Sequence, residues 1–171
     1  MKLSEAKEKF INSWSSLGSK WGINRTMAQI HALFLISEQA LSAEDVMETL
    51  KISRGNTNMN IRTLIDWGLV YKKYKAGERK EFFIGEKDIW TATKRVIRVR
   101  QQKELKPMLQ ILNDLSRTNQ IDITKNNQDE AKRFTEQIKN MQTFANHAVK
   151  TLTKISNSKE NWFWKTFLKL S

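Results

Sequence analysis

The chain has 171 residues, which is enough for one ordinary domain with additional helices and a substantial core. One proline and six glycines argue against a long linker, a low-complexity region or a turn-rich all-β fold. The lack of cysteine excludes disulfides and cysteine metal sites and fits a reducing compartment. The N-terminus lacks the apolar stretch of a signal peptide, and no apolar run reaches the roughly 20 residues of a membrane span. We therefore expect a cytoplasmic protein without a membrane segment.

The net charge of +12 is distributed unevenly along the chain. Residues 1–52 hold six basic and six acidic side chains, residues 53–106 hold fourteen and six, and residues 107–171 hold ten and six. A clustered basic surface favours a polyanionic partner, because neutralised phosphates release condensed counterions. Basic patches are also common on ordinary soluble proteins, so charge alone leaves a nucleic-acid partner undecided.

Apolar periodicity predicts three helices in the first fifty residues. Residues 4–21 place large apolar side chains at helical spacing, and Gly22 is suited to end that helix. Residues 27–37 read MAQIHALFLIS, which is typical of a helix buried on most sides. Ser42 is the expected N-cap of a third helix, whose first turn carries two acidic residues.

The stretch SRGNTNMNIRTLIDWGLV predicts a fourth helix of unusual composition. Ser53 is suited to cap it, and Gly68 is suited to end it. Its connection to the third helix is very short, as in the helix-turn-helix motif, whose second helix enters a groove. The residues expected to face outward are Arg54, Asn56, Asn58, Met59, Arg62 and Thr63. Amide and guanidinium groups on one exposed face are the groups that read base edges in a duplex.

A helix that simply faces solvent is the alternative interpretation of this stretch. Short polar side chains suit such a helix poorly, because they compete for the hydrogen bonds of the backbone. We therefore interpret the face as a DNA-contacting surface. Asn60 is expected to be half buried, and Thr57 is expected to pack against the core rather than read bases.

Two strand-like segments, residues 69–74 and 80–84, flank a loop that contains a glycine and together predict a β-hairpin. A basic hairpin directly after a recognition helix is the wing of a winged helix-turn-helix. Arg79 lies at its tip and is predicted to enter a minor groove. The lysines predicted to lie near phosphates are Lys72, Lys73, Lys75 and Lys80. The alternative is a hairpin kept soluble by its charge.

The chain from residue 88 onward reads mainly as helix. Pro107 is expected to kink the first of these helices or to open a new one, and residues 118–128 are expected to form a polar connection. A regular a/d seam follows: Ala131, Phe134, Ile138, Met141, Ala145, Ala148, Leu152 and Ile155. Together with Phe10 this seam is the predicted dimer interface, and packing within one chain is the alternative. The aromatic tail NWFWKTFLKL is expected to need a partner surface.

The helix GNTNMNIRTLIDWGLV, the hairpin GERKEFF and the following DIW together resemble the GbsR branch of the MarR superfamily of bacterial and archaeal transcriptional regulators. The matching positions are Gly55, Asn56, Met59, Asn60, Arg62, Leu64 to Gly68, Gly77, Arg79, Lys80 and Asp88 to Trp90. Glu78 replaces an acidic partner conservatively, while Phe82 and Phe83 stand where the pattern has a tyrosine. The match is specific over residues 41–90 and weak after Pro107.

The residues and the resemblance together predict a mainly α, winged helix-turn-helix protein with a three-helix core and a β-hairpin wing. The expected parts are an N-terminal dimerisation helix at 1–22, a DNA-binding domain at 23–90 and long C-terminal dimerisation helices at 91–171. The predicted DNA-binding residues are Arg54, Gly55, Asn56, Asn58, Met59, Arg62, Lys73, Lys75, Arg79 and Lys80. The resemblance implies a homodimer on a two-fold operator, usually a repressor, with DNA affinity that responds to a small effector. Some relatives sense choline.

Trp14, Trp21, Trp67 and Trp90 are the candidates for an effector pocket, because aromatic faces hold quaternary ammonium groups by cation–π attraction. The favoured alternative is that these tryptophans anchor the core and the interfaces.

Catalysis is not predicted, because His31 and His147 have no acid or nucleophile spaced to work with them, and no zinc or other cofactor site is expected.

Two other classes of protein stay open beside a regulator. A nucleoid-associated architectural protein would discriminate little between DNA sequences, and a winged-helix adaptor would bind a protein partner and ignore DNA at moderate salt. The asparagine-rich face favours the regulator.

Overall fold

The computed structural model describes residues 1–117 and 128–158, so the aromatic tail and nearly all of the predicted polar connection lie outside the described residues. The elements are α1 (Leu3–Lys20), α2 (Arg25–Ile36), β1 (Leu41–Ser42), α3 (Ala43–Leu50), α4 (Arg54–Asp66), β2 (Val70–Lys73), β3 (Phe82–Gly85), α5 (Ile89–Arg100), a π-helical segment (Gln101–Leu105), α6 (Lys106–Arg117) and α7 (Gln128–Asn157). The chain divides into two compact units, residues 1–92 and 93–171. The predicted mainly α, winged-helix fold is confirmed. Within the described ranges, no helix is both long and apolar enough to cross a bilayer.

Helix α2 is the central element of the first unit and contacts α1, α3, α4 and β3. Its nearly uniform apolar composition suits this place, and Ile30 and Phe34 are fully buried. Helix α1 approaches α2 so closely at Gly18 that an added Cβ would lie 2.8 Å from the Cβ of Ala28. The contact between these two helices therefore depends on a residue without a side chain at position 18.

Capping residues define the helix-turn-helix as the sequence predicts. The Ser42 hydroxyl accepts a hydrogen bond from the Asp45 amide, and the Asp45 carboxylate accepts one from the Ser42 amide. This capping box starts α3. Lys51, with a φ of 52°, ends α3 in the left-handed conformation, and Ser53 caps α4 directly afterwards. Gly68, with a φ of 71°, turns the chain after α4, as expected of a helix-terminating glycine.

The three strands form one antiparallel sheet in the order β1-β3-β2. The predicted hairpin is confirmed with shorter strands, and its register places Val70 opposite Gly85. Strand β1 was not predicted; it pairs Leu41 with Phe83 of the hairpin and so anchors the wing to the start of α3. Gly85 lies against α2, where an added Cβ would be 2.9 Å from the Cβ of Phe34. The base of the wing is thus fixed on the core.

Lys87 fastens the segment after the wing to the C-terminal end of α2. Its ammonium donates hydrogen bonds to the carbonyl oxygens of Phe34, Leu35 and Ser37, at 2.6, 2.9 and 2.5 Å. A cation is favoured at this end of a helix by the dipole and by the unpaired carbonyl groups. Burial of the group lowers the pKa of Lys87.

The second unit is built around the packing of α6 on α7. Leu112, Ile138 and Ala145 form a buried apolar cluster, with Leu109 packed beside them. Pro107 is the second residue of α6 but does not open a separate helix, because Arg100 and Lys106, on either side of the π-helical segment, both keep α-helical dihedral angles. The π-helical segment precedes it directly.

Candidate nucleic-acid interface

Helix α4 holds its inner face against the core with a mixture of apolar and polar residues. Thr57, Asn60, Ile61 and Leu64 are all buried, with exposed fractions of at most 4%. Their spacing of three and four residues places them on one side of the helix. Thr57 therefore packs as predicted, whereas Asn60 is more deeply buried than the expected half.

The two buried polar side chains of α4 are satisfied inside the helix itself. The Thr57 hydroxyl donates to the Ser53 carbonyl at 3.0 Å, and the Asn60 amide donates to the Asn56 carbonyl at 2.8 Å. These bonds remove the cost of burying polar groups without partners. Because they point inward, neither side chain is available to read bases.

The outward face of α4 carries the predicted DNA-binding residues, which are all exposed: Arg54, Gly55, Asn56, Asn58, Met59 and Arg62. Thr63, which was also expected to face outward, is half-buried. At ~100° per residue, Gly55, Met59 and Arg62 lie along the line directly opposite the buried face. Met59 is 57% exposed, which is a high value for a large apolar side chain. A thioether at this place offers an apolar surface of the kind that contacts the methyl group of thymine.

Gly55 has no role in the packing of the chain. An added Cβ would meet nothing within 4 Å, and Gly55 is not among the residues with positive φ. Gly55 is the second residue of α4, and replacing a glycine by alanine at a position with compatible backbone and free space stabilises by about 0.4–1 kcal/mol, so the fold by itself would favour alanine here. A glycine in the middle of the outward face lets another molecule approach the backbone closely.

The wing extends from the sheet as an exposed, basic loop. Residues 71–81 are all exposed, and Gly77 turns the loop with a φ of 80°. Two of its lysines have partners in the wing: the Lys72 ammonium pairs with Glu81, and the Lys75 ammonium lies 3.9 Å from the centre of the Phe82 ring. These contacts order the base of the loop and leave its tip in solvent.

The remaining basic wing residues of the prediction, Lys73, Arg79 and Lys80, are exposed. Lys73 and Arg79 make no ion pair with any residue in 1–117 or 128–158. Hydrogen bonds from Ser42 hold the pKa of Asp45 below its ordinary value, and the charges of Lys80 and Lys75 act in the same direction. These two lysines therefore lie close to the start of α3, on the side where the helix-turn-helix begins.

Glu44, which sequence reasoning treated only as a favourable charge at the start of α3, contacts the recognition helix. Its carboxylate accepts a hydrogen bond from the Nη2 atom of Arg54 at 3.3 Å. The two residues are ten positions apart and belong to different helices, so no local pattern predicts the contact.

Intrachain packing covers part of the seam predicted as a dimer interface. Ile138 and Ala145 are buried against α6 of the same chain, whereas Phe134 and Met141 stay 45% and 38% exposed. The a/d spacing of α7 allows any helix to pack against it, and α6 of the same chain packs against part of it. The expectation that the whole seam faces a second chain is therefore revised. Ala131 is also buried, while Ala148, Leu152 and Ile155 are half-buried. Among residues 93–117 and 128–158, the exposed large apolar side chains are Met108, Ile111, Leu115, Phe134, Met141 and Phe144.

The tryptophans proposed for an effector pocket have different surroundings. Trp14 is half-buried, stacks on Phe10 with ring centres 5.7 Å apart, and donates from its indole nitrogen to Nδ1 of His31 at 3.4 Å. These contacts fit the alternative in which Trp14 packs in the core rather than lining an effector pocket. Trp21, by contrast, is 67% exposed at the end of α1. Trp67 and Trp90 are half-buried at the end of α4 and the start of α5.

Burial lowers the pKa of His31 to about 4. Among the residues that the structure describes, no group of three or more acidic or histidine side chains is placed to hold a metal ion.

Comparison with known proteins agrees with the fold. Residues 21–79 match the model of the MarR family, over less than half of the chain. A solved structure described as "Crystal Structure of a transcriptional regulator" is similar over 87% of this chain and 99% of its own, with a TM-score of 0.55 and 15% identity. At that identity the likeness shows the fold alone. The comparison with curated proteins found no match. These findings support the MarR superfamily as the class of the winged-helix segment, and the GbsR branch stays a prediction.

Proposed function

We propose that this protein is a transcriptional regulator that binds double-stranded DNA sequence-specifically. The observation that carries the proposal is the outward face of α4, where exposed amide and guanidinium side chains surround a glycine that the fold does not require. The match of residues 21–79 to the MarR family supports the same function.

In this proposal α4 enters the major groove. Arg54, Asn56, Asn58 and Arg62 offer the donors and acceptors that distinguish base pairs, and Gly55 lets the helix backbone approach the duplex. An N-capped helix start is also favourable near phosphate, because its free amide groups and its dipole attract anions.

The wing contacts the adjacent backbone and minor groove. Arg79 at the tip is free to enter a minor groove, whose negative potential attracts arginine. Lys73, Lys75 and Lys80 bind phosphates and orient the module without reading sequence. The surplus of basic residues in 53–106 supplies this electrostatic attraction.

The regulator acts as a homodimer on a two-fold operator, and most simply as a repressor that occludes a promoter. Exposed apolar side chains on α6 and α7, among them Ile111, Phe134 and Phe144, offer a surface of the kind that a second copy would cover. An effector is not part of the proposal, since Trp14, one of the four candidate pocket residues, already packs on Phe10 and bonds to His31.

Fluorescence anisotropy tests the proposal with a duplex from upstream of the protein's own gene beside a shuffled duplex of equal length, across a salt series. We expect a preference for the upstream duplex that persists as salt rises. Arg62→Ala or Asn56→Ala should reduce that preference by about 1–3 kcal/mol per lost bidentate contact. Lys73→Ala is the matched comparison, and it should weaken binding to both duplexes alike and lower the salt slope by about one.

Equal binding to both duplexes, with a steep loss as salt rises, would contradict sequence-specific regulation and favour the architectural alternative. Lack of binding to either duplex at moderate salt would favour the protein-interaction adaptor.

A further inference from the structure

Arg54 occupies a position that an isolated helix would not choose for a cation. It is the first residue of α4, where the helix dipole and the free amide groups present positive charge. Its guanidinium nevertheless has a partner, since Nη2 donates a hydrogen bond to the Glu44 carboxylate at 3.3 Å, with the two side chains 69% and 41% exposed. The nearby carboxylate therefore offsets the unfavourable charge of an arginine at the start of this helix.

Glu44 is suited to its own helix but not to a DNA-facing surface. It lies in the first turn of α3, where the dipole favours an acid. On the proposed interface, however, the same carboxylate would be repelled by phosphates. Exposed ion pairs add little to folding stability, so stabilisation of the fold is a weak reason for placing a carboxylate beside the recognition helix.

The contact leaves most of the arginine available. A guanidinium has five N–H donors in a fixed, planar arrangement, and the bond to Glu44 is made from Nη2. The other donors can address a base edge, in an orientation that the Glu44 contact restricts.

We propose that Glu44 is a positioning residue that determines sequence specificity by aiming Arg54 at one base-pair edge. This inference rests on the proposed function. On a matching duplex, the oriented guanidinium reaches acceptors such as O6 and N7 of guanine while it keeps the carboxylate neutralised. On other sequences Arg54 is restrained from swinging to a phosphate, and the carboxylate repels the backbone, so binding is weakened.

The test compares Glu44→Gln with Glu48→Gln in the full-length protein. Glu48 is an exposed carboxylate one turn further along α3, so its replacement removes the same charge without touching Arg54. We expect E48Q to change the affinities for the upstream and shuffled duplexes by the same factor. E44Q should strengthen binding to the shuffled duplex more than to the upstream one, with a loss of discrimination of about two- to fivefold, the size of one exposed ion pair.

Two further variants separate positioning from a structural role. In an Arg54→Ala background, E44Q should leave the upstream-to-shuffled ratio unchanged, because the carboxylate then has no guanidinium to orient. Glu44→Asp keeps the charge but shortens the side chain, and it should lower the ratio without strengthening shuffled binding. Thermal melting of each variant confirms that it is folded.

The inference is overturned if wild type discriminates between the duplexes while E44Q keeps the same ratio as E48Q. It is equally overturned if E44Q lowers the ratio as much in the Arg54→Ala background as in wild type. If wild type itself shows no preference, the proposed function fails, and the role of Glu44 fails with it.

Discussion

Acidification from neutral pH is expected to destabilise the first unit through His31. The imidazole is 9% exposed, and its Nδ1 atom accepts the hydrogen bond from Trp14. Its Nε2 atom is buried and has no hydrogen-bond partner in the described residues. A charged imidazole would be poorly solvated here, and a proton on Nδ1 would displace the Trp14 bond.

The magnitude follows from the shift of the pKa of His31 from 6.5 to about 4 through burial. Above pH 6.5 the group is neutral in both states, so this contribution does not change. Between pH 6.5 and about 4 the unfolded chain binds a proton that the folded chain does not, so stability falls as the pH is lowered. At 1.36 kcal/mol per unit, the loss between pH 7.5 and pH 4.5 amounts to about 2.5 kcal/mol.

Urea unfolding measures this loss in proteins that differ only at position 31. The chain holds two histidines, so His147→Gln leaves His31 as the sole histidine and provides the reference. His31→Gln in that background removes the titration, and its amide oxygen can still accept the Trp14 bond. We expect the stability of the double variant relative to the reference to rise by about 2.5 kcal/mol between pH 7.5 and pH 4.5.

NMR titration of the His31 ring protons in the same reference protein gives the folded-state pKa directly. A midpoint near 6.5, or a stability difference that does not vary with pH, would refute the assignment of His31 as a buried, neutral group.

Three substitutions test the packing and capping of the helices by thermal melting. Gly18→Ala should destabilise by about 1–3 kcal/mol, because the new Cβ would lie 2.8 Å from that of Ala28. Gly55→Ala, with open space around it in the first turn of α4, should instead stabilise by about 0.4–1 kcal/mol. Similar effects of the two alanines would show that α1 and α2 can move apart at little cost. Asp45→Asn should cost about 0.3–1 kcal/mol at pH 7 and progressively less below pH 3.8, the ordinary pKa of the group. The sign follows because Ser42 lowers the folded-state pKa of Asp45, and a penalty that persisted at pH 2.5 would contradict it.

Local signals in the sequence predicted most of the helix-turn-helix. Ser42 and Ser53 were identified as caps, and Gly68 as the end of the recognition helix, because capping depends on side chains within a few residues of the backbone groups they satisfy. The exposed face of α4 followed from the helical spacing of its apolar residues. The burial of Thr57 was also expected, since it lies one turn before Ile61.

The sequence did not reveal β1, the Lys87 cap or the Glu44 contact with Arg54. A two-residue strand such as Leu41–Ser42 exists only because Phe82 and Phe83 pair with it, and those residues are about forty positions away. Neither propensity nor periodicity carries information about such a distant partner.

What the sequence by itself determined is where helices begin and end and which side of α4 is polar, because these depend on neighbours along the chain. Only the tertiary structure decided which apolar surfaces are buried against another helix and which charged side chains form ion pairs, such as Glu44 and Arg54. The α7 seam shows the difference, since its period fits any helix and only the fold places α6 against Ile138 and Ala145. Which helices pack together depends on the loops that connect them and on how side chains fill the whole core. The hydrophobic pattern of one segment carries no information about either.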